Sequence, residues 1–385
     1  VLDTPKDWSL FGQIVILILL QIGGLGTMTM ASVLRMLAQG RSSVVQRLAV
    51  QDTVAPGAAD VVGVVRRIVL FTLLCEGLGA MLLTWRWASQ GVATGRAVWL
   101  GLFHSVSAFC NAGFSLFSNS LENYAGDAVV TGVVGLLIIL GGLGFPVMLE
   151  LAHWARSQLR ARRVRLSLHS QVVLLSTLLL LLLGFALFLL VEWDGAFGSL
   201  APQEKLLAAA FASITPRTAG FDTVAPANFS LASKWVMMAL MFIGASPGST
   251  GGGIKTATAA VLLVVVISMA RGRQRVHLLH RTVGEGTRHR AFAIAALMAA
   301  AVFGVTFALA LTERADLSTV LFEVFSALGT VGLTLGLTPM LSTAGRLIIS
   351  LAMYMGRVGP LTLALAVPPA RPSAVEFPQE EMMVG

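Results

Sequence analysis

SAFCNAGFSLFS, at residues 107–118, has two counterparts further along the chain: ASITPRTAGFDTVAP at residues 212–226 and SALGTVGLTLGLTP at residues 326–339. In each copy, a short apolar stretch with small residues leads to a central glycine that is followed by Phe or Leu. The three central glycines are Gly113, Gly220 and Gly332. Repetition of this kind predicts one structural unit that the chain uses several times.

Long apolar segments precede and follow each copy, and the segment that follows carries a glycine-rich interruption. The interruptions read LGGLGFP at 140–146, IGASPGS at 243–249 and MGRVGP at 355–360, and a fourth, IGGLG at 22–26, has no complete copy before it. The short stretch before each central glycine, roughly 10–14 residues, is too short to span a bilayer but suits a re-entrant half-helix. The predicted unit is therefore helix, re-entrant loop, helix.

The composition is that of a membrane protein. Apolar residues make up 56% of the chain and charged residues 12%, whereas soluble domains carry about 25% charged residues. We predict an all-α polytopic membrane protein with pseudo-fourfold repeats of helix, re-entrant pore loop and helix around a central ion pore, divided at residues 1–60, 61–165, 166–290 and 291–385. The uncharged segments long enough to span are Trp8–Leu34, Ala128–Leu149, Leu166–Val191, Trp235–Ile254 and Ala291–Thr312.

The net charge of +8 is spread unevenly along the chain. Arginines cluster in three loops, around residues 35–67, 156–165 and 271–290, and the loops between them carry most of the acids. This alternation follows the positive-inside rule and places the basic loops in the cytoplasm. The basic loops lack interleaved aromatic residues, so we expect no nucleic-acid partner. The acids assigned to outer loops are Glu122, Asp127, Glu192, Asp194, Glu204, Glu313, Asp316 and Glu323.

The central glycines suit a filter that replaces the hydration shell of a monovalent cation with backbone carbonyls. Glycine permits backbone angles that turn carbonyls toward an axis, and half-helices that end at the loop would point their negative ends at a cation. Glycines that serve only close helix packing are the alternative, and three copies at equivalent places favour the filter. The candidate carbonyl donors are Asn111, Ala112, Gly113, Thr218, Ala219, Gly220, Thr330, Val331 and Gly332.

The interruption in the third copy differs from the others. Its glycines and Pro247 cannot continue a regular helix, so we predict an unwound intramembrane loop beneath the filter. A nucleotide-binding P-loop is the rival interpretation. It fails because Ile254 occupies the lysine position, Lys255 comes one residue late, and no strand precedes the motif.

The motifs NAGF, TAGFDT, GGLGFP, GASPGSTGGGIKT and MGRVGP resemble the Trk/Ktr/HKT superfamily of potassium transporters, and within it the membrane subunits of bacterial Ktr systems. The terminal EFPQEEMMVG is similar to the short cytoplasmic tail of those subunits, so the resemblance covers essentially the whole chain. It implies potassium uptake by a homodimer in the bacterial inner membrane, with a cytoplasmic, KtrA-like ring of RCK-type nucleotide-binding regulatory subunits. Potassium is the only metal ion implied, sodium as a co-ion stays open, and nucleotide would bind only the partner.

In the resembling family the unwound loop is the gate. The residues assigned to it are Gly244, Ser246, Gly248, Ser249, Thr250, Gly251, Gly252, Gly253, Lys255 and Arg357. Arg357 interrupts a helix at membrane depth, where a charge usually faces a partner. We expect it to donate hydrogen bonds to loop carbonyls and hold the gate closed. Glu76 fits either hydrogen bonding inside the bundle or ion binding, and Asp222 either attracts cations at the outer mouth or is a solvated loop carboxylate.

Two other classes of function fit parts of this pattern. A membrane enzyme or receptor would need one asymmetric site rather than repeated loops, and no catalytic constellation stands out, so we expect no enzyme. A carrier for sodium or ammonium is a closer rival. Aligning the copies places the first filter residue three residues before Val1, so we expect a further half-helix and spanning helix upstream. The resembling family links glycine or serine at that position to its preference between potassium and sodium.

Overall fold

The computed structural model of the chain describes residues 3–39, 61–159, 164–273, 276–279 and 281–366. The described part is mainly helical, with one short antiparallel hairpin of β1 (His277–Leu278) and β2 (Arg281–Thr282). The helices are α1 (Thr4–Asp7), α2 (Leu10–Gln39), α3 (Val61–Ser89), α4 (Thr94–Phe109), α5 (Ala128–Leu143), α6 (Phe145–Leu159), α7 (Leu168–Glu192), α8 (Pro202–Ile214), α9 (Leu231–Phe242), α10 (Thr256–Ala270), α11 (Glu285–Thr312), α12 (Leu317–Gly329) and α13 (Thr343–Ala366).

Four helices of the described residues are long and apolar enough to cross a membrane. They are Leu10–Met30, Gly63–Ser89, Leu168–Glu192 and Glu285–Thr312. Their surfaces carry many exposed leucines, isoleucines and phenylalanines, as lipid-facing helices require. The polytopic helical fold expected from the composition is confirmed.

Three groups of helices share one order along the chain: a first helix, a short middle helix and a second helix. The groups are α3–α4–α5, α7–α8–α9 and α11–α12–α13. Each contributes most of one apolar cluster, represented by Phe103, Met237 and Val324, and neighbouring groups add residues to these clusters. The short middle helices α4, α8 and α12 have 16, 13 and 13 residues, too few to span a bilayer. The second helices α5 and α9 have only 16 and 12 residues, because a glycine-rich interruption follows each of them. This arrangement is consistent with the repeat boundaries given above, which stay a prediction.

A carboxylate at the end of the first helix anchors the start of the second helix in two groups. Glu192 accepts a hydrogen bond from the Ser230 backbone N–H at 2.9 Å, next to α9. Glu313 accepts one from the Ser342 N–H at 3.2 Å, next to α13. Helix N-termini leave backbone N–H groups without intrahelical partners, so these carboxylates stabilise both the cap and the angle between the helices.

The glycine-rich interruptions take three different forms. Gly144, with φ +88°, lies where α5 and α6 meet at an angle of 102°, so the predicted span Ala128–Leu149 is bent and does not form one straight helix. Between α9 and α10 the chain leaves the helix altogether over residues 243–255, so the predicted span Trp235–Ile254 is wrong as a single helix. Gly359, at φ 76° and ψ 156°, kinks α13.

Two further expectations are wrong. The predicted interruption at 22–26 does not exist, because α2 runs unbroken through it. Its Gly24 instead allows close packing, since a methyl group there would lie 2.5 Å from the Cys110 Sγ. Glu323, assigned to an outer loop from charge alternation, is 4% exposed inside α12. Glu192 and Glu204, assigned in the same way, lie within α7 and α8. Charge patterning places a residue on a side of the membrane but cannot detect a carboxylate that is satisfied by buried hydroxyl groups.

Candidate ion filter and gate

The three central glycines share an unusual backbone conformation. Gly113, Gly220 and Gly332 have φ values of +71°, +81° and +95°. The residue two positions earlier in each copy also has a positive φ, although none of these is glycine. They are Asn111 at +51°, Thr218 at +70° and Thr330 at +53°. β-Branched residues avoid this region, and such strained backbone persists mainly at functional sites.

These three segments lie against one another, although more than a hundred residues separate them in the chain. A methyl group built on Gly113 would lie 2.6 Å from the Ala219 carbonyl oxygen and 2.9 Å from the Gly220 Cα. A methyl group on Gly220 would overlap the Val331 carbonyl oxygen, and one on Gly332 would lie 3.8 Å from the Gly220 Cα. We call the segments 111–113, 218–220 and 330–332 walls two, three and four.

Each wall is bonded back to the short helix before it. The middle residue of the wall donates its backbone N–H to a carbonyl near the end of that helix. The pairs are Ala112 to Ser107 at 2.9 Å, Ala219 to Thr215 at 3.0 Å and Val331 to Ser326 at 2.8 Å. Since the C-terminal end of a helix carries partial negative charge, all three walls lie where a cation is stabilised. We call α4, α8 and α12 the pore helices.

The predicted intramembrane loop, residues 243–255, lies directly against the first residues of walls three and four. Methyl groups built on Gly251 and Gly252 would overlap the hydroxyl oxygens of Thr218 and Thr330. The two loop glycines therefore provide room where the loop meets the walls. Any other residue there would have to displace the loop or the wall.

Hydrogen bonds fix the loop to the ends of α4 and α5. Thr250 donates its N–H to the Gly141 carbonyl at 3.2 Å and its hydroxyl to the Phe109 carbonyl at 3.3 Å. Ser246 donates its N–H to the Gly142 carbonyl at 2.9 Å. The interrupted helix of one group is thus the support for the loop of the next.

Hydrogen bonds within the loop join residues 245–252 into a compact turn. The Ala245 N–H donates to the Gly252 carbonyl at 3.3 Å, and the Ser249 hydroxyl donates to the Ser246 carbonyl at 2.6 Å. Three close approaches require glycine. A methyl group on Gly244 would lie 3.0 Å from the Gly253 Cα, and one on Gly144 would lie 2.5 Å from the Pro247 carbonyl oxygen. A methyl group on Gly248, which has a φ of +77°, would lie 3.1 Å from the Pro146 Cδ.

Two cationic side chains hold carbonyls of this loop. Lys255 Nζ donates to the Gly251 carbonyl at 2.5 Å. Arg357 Nη1 donates to the Thr250 carbonyl, and its Nη2 lies 3.5 Å from the Gly23 carbonyl of α2. The contact between Arg357 and the loop that the sequence suggested is present. Hydrogen bonds from charged donors contribute about 1.5–3 kcal/mol each, so the pair stabilises the loop in this position.

Glu76 and Asp222, each of which has two interpretations from the sequence, lie in different surroundings. Glu76 is 3% exposed and accepts from the Cys110 Sγ at 3.8 Å, and its backbone carbonyl accepts from the Ser105 hydroxyl at 2.7 Å. These contacts favour a role inside the bundle. Asp222, in the loop after wall three, is half-buried, and burial raises its pKa to about 7, although the nearby Ser120 side chain lowers it in part. A partly neutral carboxyl attracts cations less than an ordinary surface carboxylate does.

Sequence reasoning missed two polar residues behind the walls. His104 and Glu323 are buried in pore helices and bond to the loops that leave walls two and four. The sequence feature that could have identified them is their spacing, because each stands nine residues before the central glycine of its copy. The described residues contain no group of three or more His, Cys, Asp or Glu that could hold a metal ion. The acidic tail, with Glu376, Glu380 and Glu381, lies outside them.

Comparison with known proteins gives consistent matches over the whole chain. The family model TrkH, described as a cation transport protein, matches residues 1–378. Ktr system potassium uptake protein B of Vibrio alginolyticus is 38% identical, with 100% of this chain and 84% of the relative covered. The potassium/sodium uptake protein NtpJ of Enterococcus hirae is 35% identical, with 100% and 86% covered.

The crystal structure of the potassium transporter TrkH from Vibrio parahaemolyticus superposes with a TM-score of 0.70 at 16% identity, over 93% of this chain and 73% of that one. This match shows the shared fold. Together with the apolar helices, the relatives identify a multi-pass protein of the bacterial cell membrane. The chain belongs to the TrkH family of cation transport proteins.

Proposed function

We propose that the chain carries potassium ions into the cell through a filter formed by the carbonyls of the three walls. The observation that carries this proposal is the alternation of positive φ at the first and third residue of each wall. In an extended strand, successive carbonyls point to opposite sides. When every second residue has a positive φ, that alternation is cancelled, and the carbonyls of one segment face the same way. Three such segments side by side can replace the hydration shell of a cation.

The loop at 243–255 is the gate in this proposal. It lies against the inner hydroxyl groups of Thr218 and Thr330, so an ion that leaves the filter meets it first. Lys255 and Arg357 add positive charge at the same place and oppose the passage of cations while the loop is in position. Opening requires that the loop leave its carbonyl and hydroxyl partners on α4 and α5.

The transported ion is tested by flux. The purified full chain in liposomes should take up rubidium, as a potassium analogue, along a potassium gradient, and external potassium should compete at least about tenfold better than sodium. Discrimination of that size corresponds to about 1.4 kcal/mol, which a fixed carbonyl cage supplies. Equal competition by sodium would instead support the second candidate, a carrier for both ions. The printed name of the Enterococcus relative, a potassium/sodium uptake protein, gives that candidate its support.

We infer that the chain works as a homodimer with a cytoplasmic ring of RCK-type nucleotide-binding subunits. The support is the similarity to membrane subunits named for Ktr systems and the basic cytoplasmic loops, which offer charge for docking. A pull-down with the cognate ring protein should recover a complex at low salt that weakens as salt rises. Failure of the two proteins to associate at low salt would remove the ring from the proposal.

A further inference from the structure

The pore helices carry a distinctive residue at one equivalent position. Nine residues before the central glycine stand His104 in α4, Phe211 in α8 and Glu323 in α12. All three side chains are at least 96% buried, which leaves them 0%, 2% and 4% exposed. Burying a polar group is costly unless it is fully hydrogen-bonded, so two polar residues at this position require partners.

Behind wall two, His104 binds both its own helix and the loop that leaves the wall. Its Nδ1 lies 2.9 Å from the Leu100 carbonyl oxygen, and its Nε2 accepts the Leu116 backbone N–H at 3.3 Å. A carbonyl can only accept and an N–H can only donate, so these partners require a neutral ring with its proton on Nδ1. The Ser115 hydroxyl lies 3.1 Å from the same Nε2, and Phe117 stacks on the ring at 5.0 Å.

Behind wall four, Glu323 makes the equivalent connection with different chemistry. The Thr334 hydroxyl donates to one carboxylate oxygen at 2.9 Å, and the Thr338 hydroxyl donates to the other. Hydrogen bonds to a carboxylate are stronger than those between neutral groups. The loop that leaves wall four is therefore bonded to its pore helix through two hydroxyl groups.

The two loops share the same turn as well. Ser115 and Thr334 each stand two residues after the central glycine, and each hydroxyl accepts the backbone N–H of the second residue further on. The donors are Phe117 and Gly336, both at 3.0 Å. His104 and Glu323 differ in chemistry, but each bonds to a hydroxyl group at the same position of its loop.

Wall three lacks this connection. The Phe211 side chain cannot form a hydrogen bond, and Asp222 replaces the serine or threonine of the other loops. Asp222 Oδ1 is sealed from solvent with no hydrogen-bond partner among the described residues, beside a small cavity that Phe211 also lines. The loop does retain a bond from the Thr215 hydroxyl to the Phe221 carbonyl, and its Asp222 N–H donates to the Ser120 hydroxyl at 3.1 Å. Ser120 belongs to the neighbouring loop, which follows wall two.

We propose that His104 and Glu323 are positioning residues that hold walls two and four from behind and thereby fix the spacing of their carbonyls for potassium. This proposal rests on the proposed filter. A coordination cage discriminates between ions only while its ligands resist displacement, which demands supporting contacts good to about 0.5 Å. Wall three, without a polar residue at the equivalent position, does not depend on such support.

The test is the ratio of potassium to sodium flux in liposomes, measured for equal amounts of folded, reconstituted full chain. His104→Phe keeps the aromatic packing and Glu323→Leu keeps an apolar filling, while both lose every hydrogen bond to the loop. Each is expected to lower the ratio about tenfold, the equivalent of one lost hydrogen bond to a buried group. His104→Gln and Glu323→Gln restore an acceptor and should recover most of the ratio. The control Phe211→Leu should leave it within about twofold.

Variants on the loop side keep the proposal testable if the helix variants do not fold. Ser115→Ala and Thr334→Val remove the hydroxyl end of each connection and should lower the ratio in the same direction. An unchanged ratio in all these variants, alongside lost discrimination in Gly220→Ser, would overturn the positioning role and leave the filter standing. Unchanged discrimination in Gly220→Ser as well would overturn the filter itself.

Discussion

Replacing Gly220 with serine is expected to lower the discrimination between potassium and sodium at least about tenfold while the protein still assembles in the membrane. Gly220 stands at φ +81°, where a residue with a β-carbon loses roughly 1–2 kcal/mol. The added β-carbon would also overlap the Val331 carbonyl oxygen of wall four and lie 3.3 Å from the Gly113 Cα of wall two. Relief of that overlap must move a carbonyl of the proposed cage, and cage geometry is what selects the ion.

A matched control separates this effect from the cost of the backbone angle alone. Gly91 has a φ of +88° in the turn after α3, and a methyl group there would meet nothing within 4 Å. Gly91→Ser should therefore cost similar backbone strain without any change in selectivity. If Gly220→Ser discriminates between the two ions as the unaltered chain does, Gly220 does not belong to a filter.

Removing the gate is expected to raise unregulated potassium flux. Deletion of residues 249–252 takes away the Thr250 and Gly251 carbonyls that Arg357 and Lys255 hold, together with the glycines that lie against the walls. Arg357→Ala should act in the same direction. Loss of one hydrogen bond from a charged donor, about 2 kcal/mol, shifts the closed-to-open ratio about thirtyfold. Rubidium efflux from liposomes without the regulatory ring measures the change.

The control for this prediction lies on the same helix. Arg346 in α13 donates to the Pro339 carbonyl at 3.2 Å, away from the loop. Arg346→Ala should leave the efflux rate unaltered. Lower efflux from correctly folded Arg357→Ala and from the deletion variant would mean that the loop supports the conduction path instead of obstructing it.

Much of this architecture is predictable from the sequence because a repeated motif fixes positions in each copy. The repeated plan around Gly113, Gly220 and Gly332 predicts the walls, and uncharged length predicts the spanning helices α2, α7 and α11. The prediction that the glycines at 22–26 interrupt a helix is wrong. Gly23 and Gly24 lie within an unbroken α2, since a membrane helix tolerates glycine and uses it for close packing.

The contacts behind the walls are beyond local sequence reasoning. His104 and Glu323 look like a stray histidine and an outer-loop acid until the fold brings Leu116 and Thr338 against them. Their partners lie 12 and 15 residues further along the chain, past the wall and its turn. Only the constant offset from the central glycine could have indicated them.

The central claim, an ion cage of backbone carbonyls at the meeting point of the three walls, is tested most directly by anomalous diffraction from crystals soaked in rubidium or thallium. The account predicts anomalous peaks enclosed by residues 111–113, 218–220 and 330–332, and their loss when sodium replaces the heavier ion. Peaks elsewhere, or none between the walls in crystals of protein that transports rubidium, would contradict it.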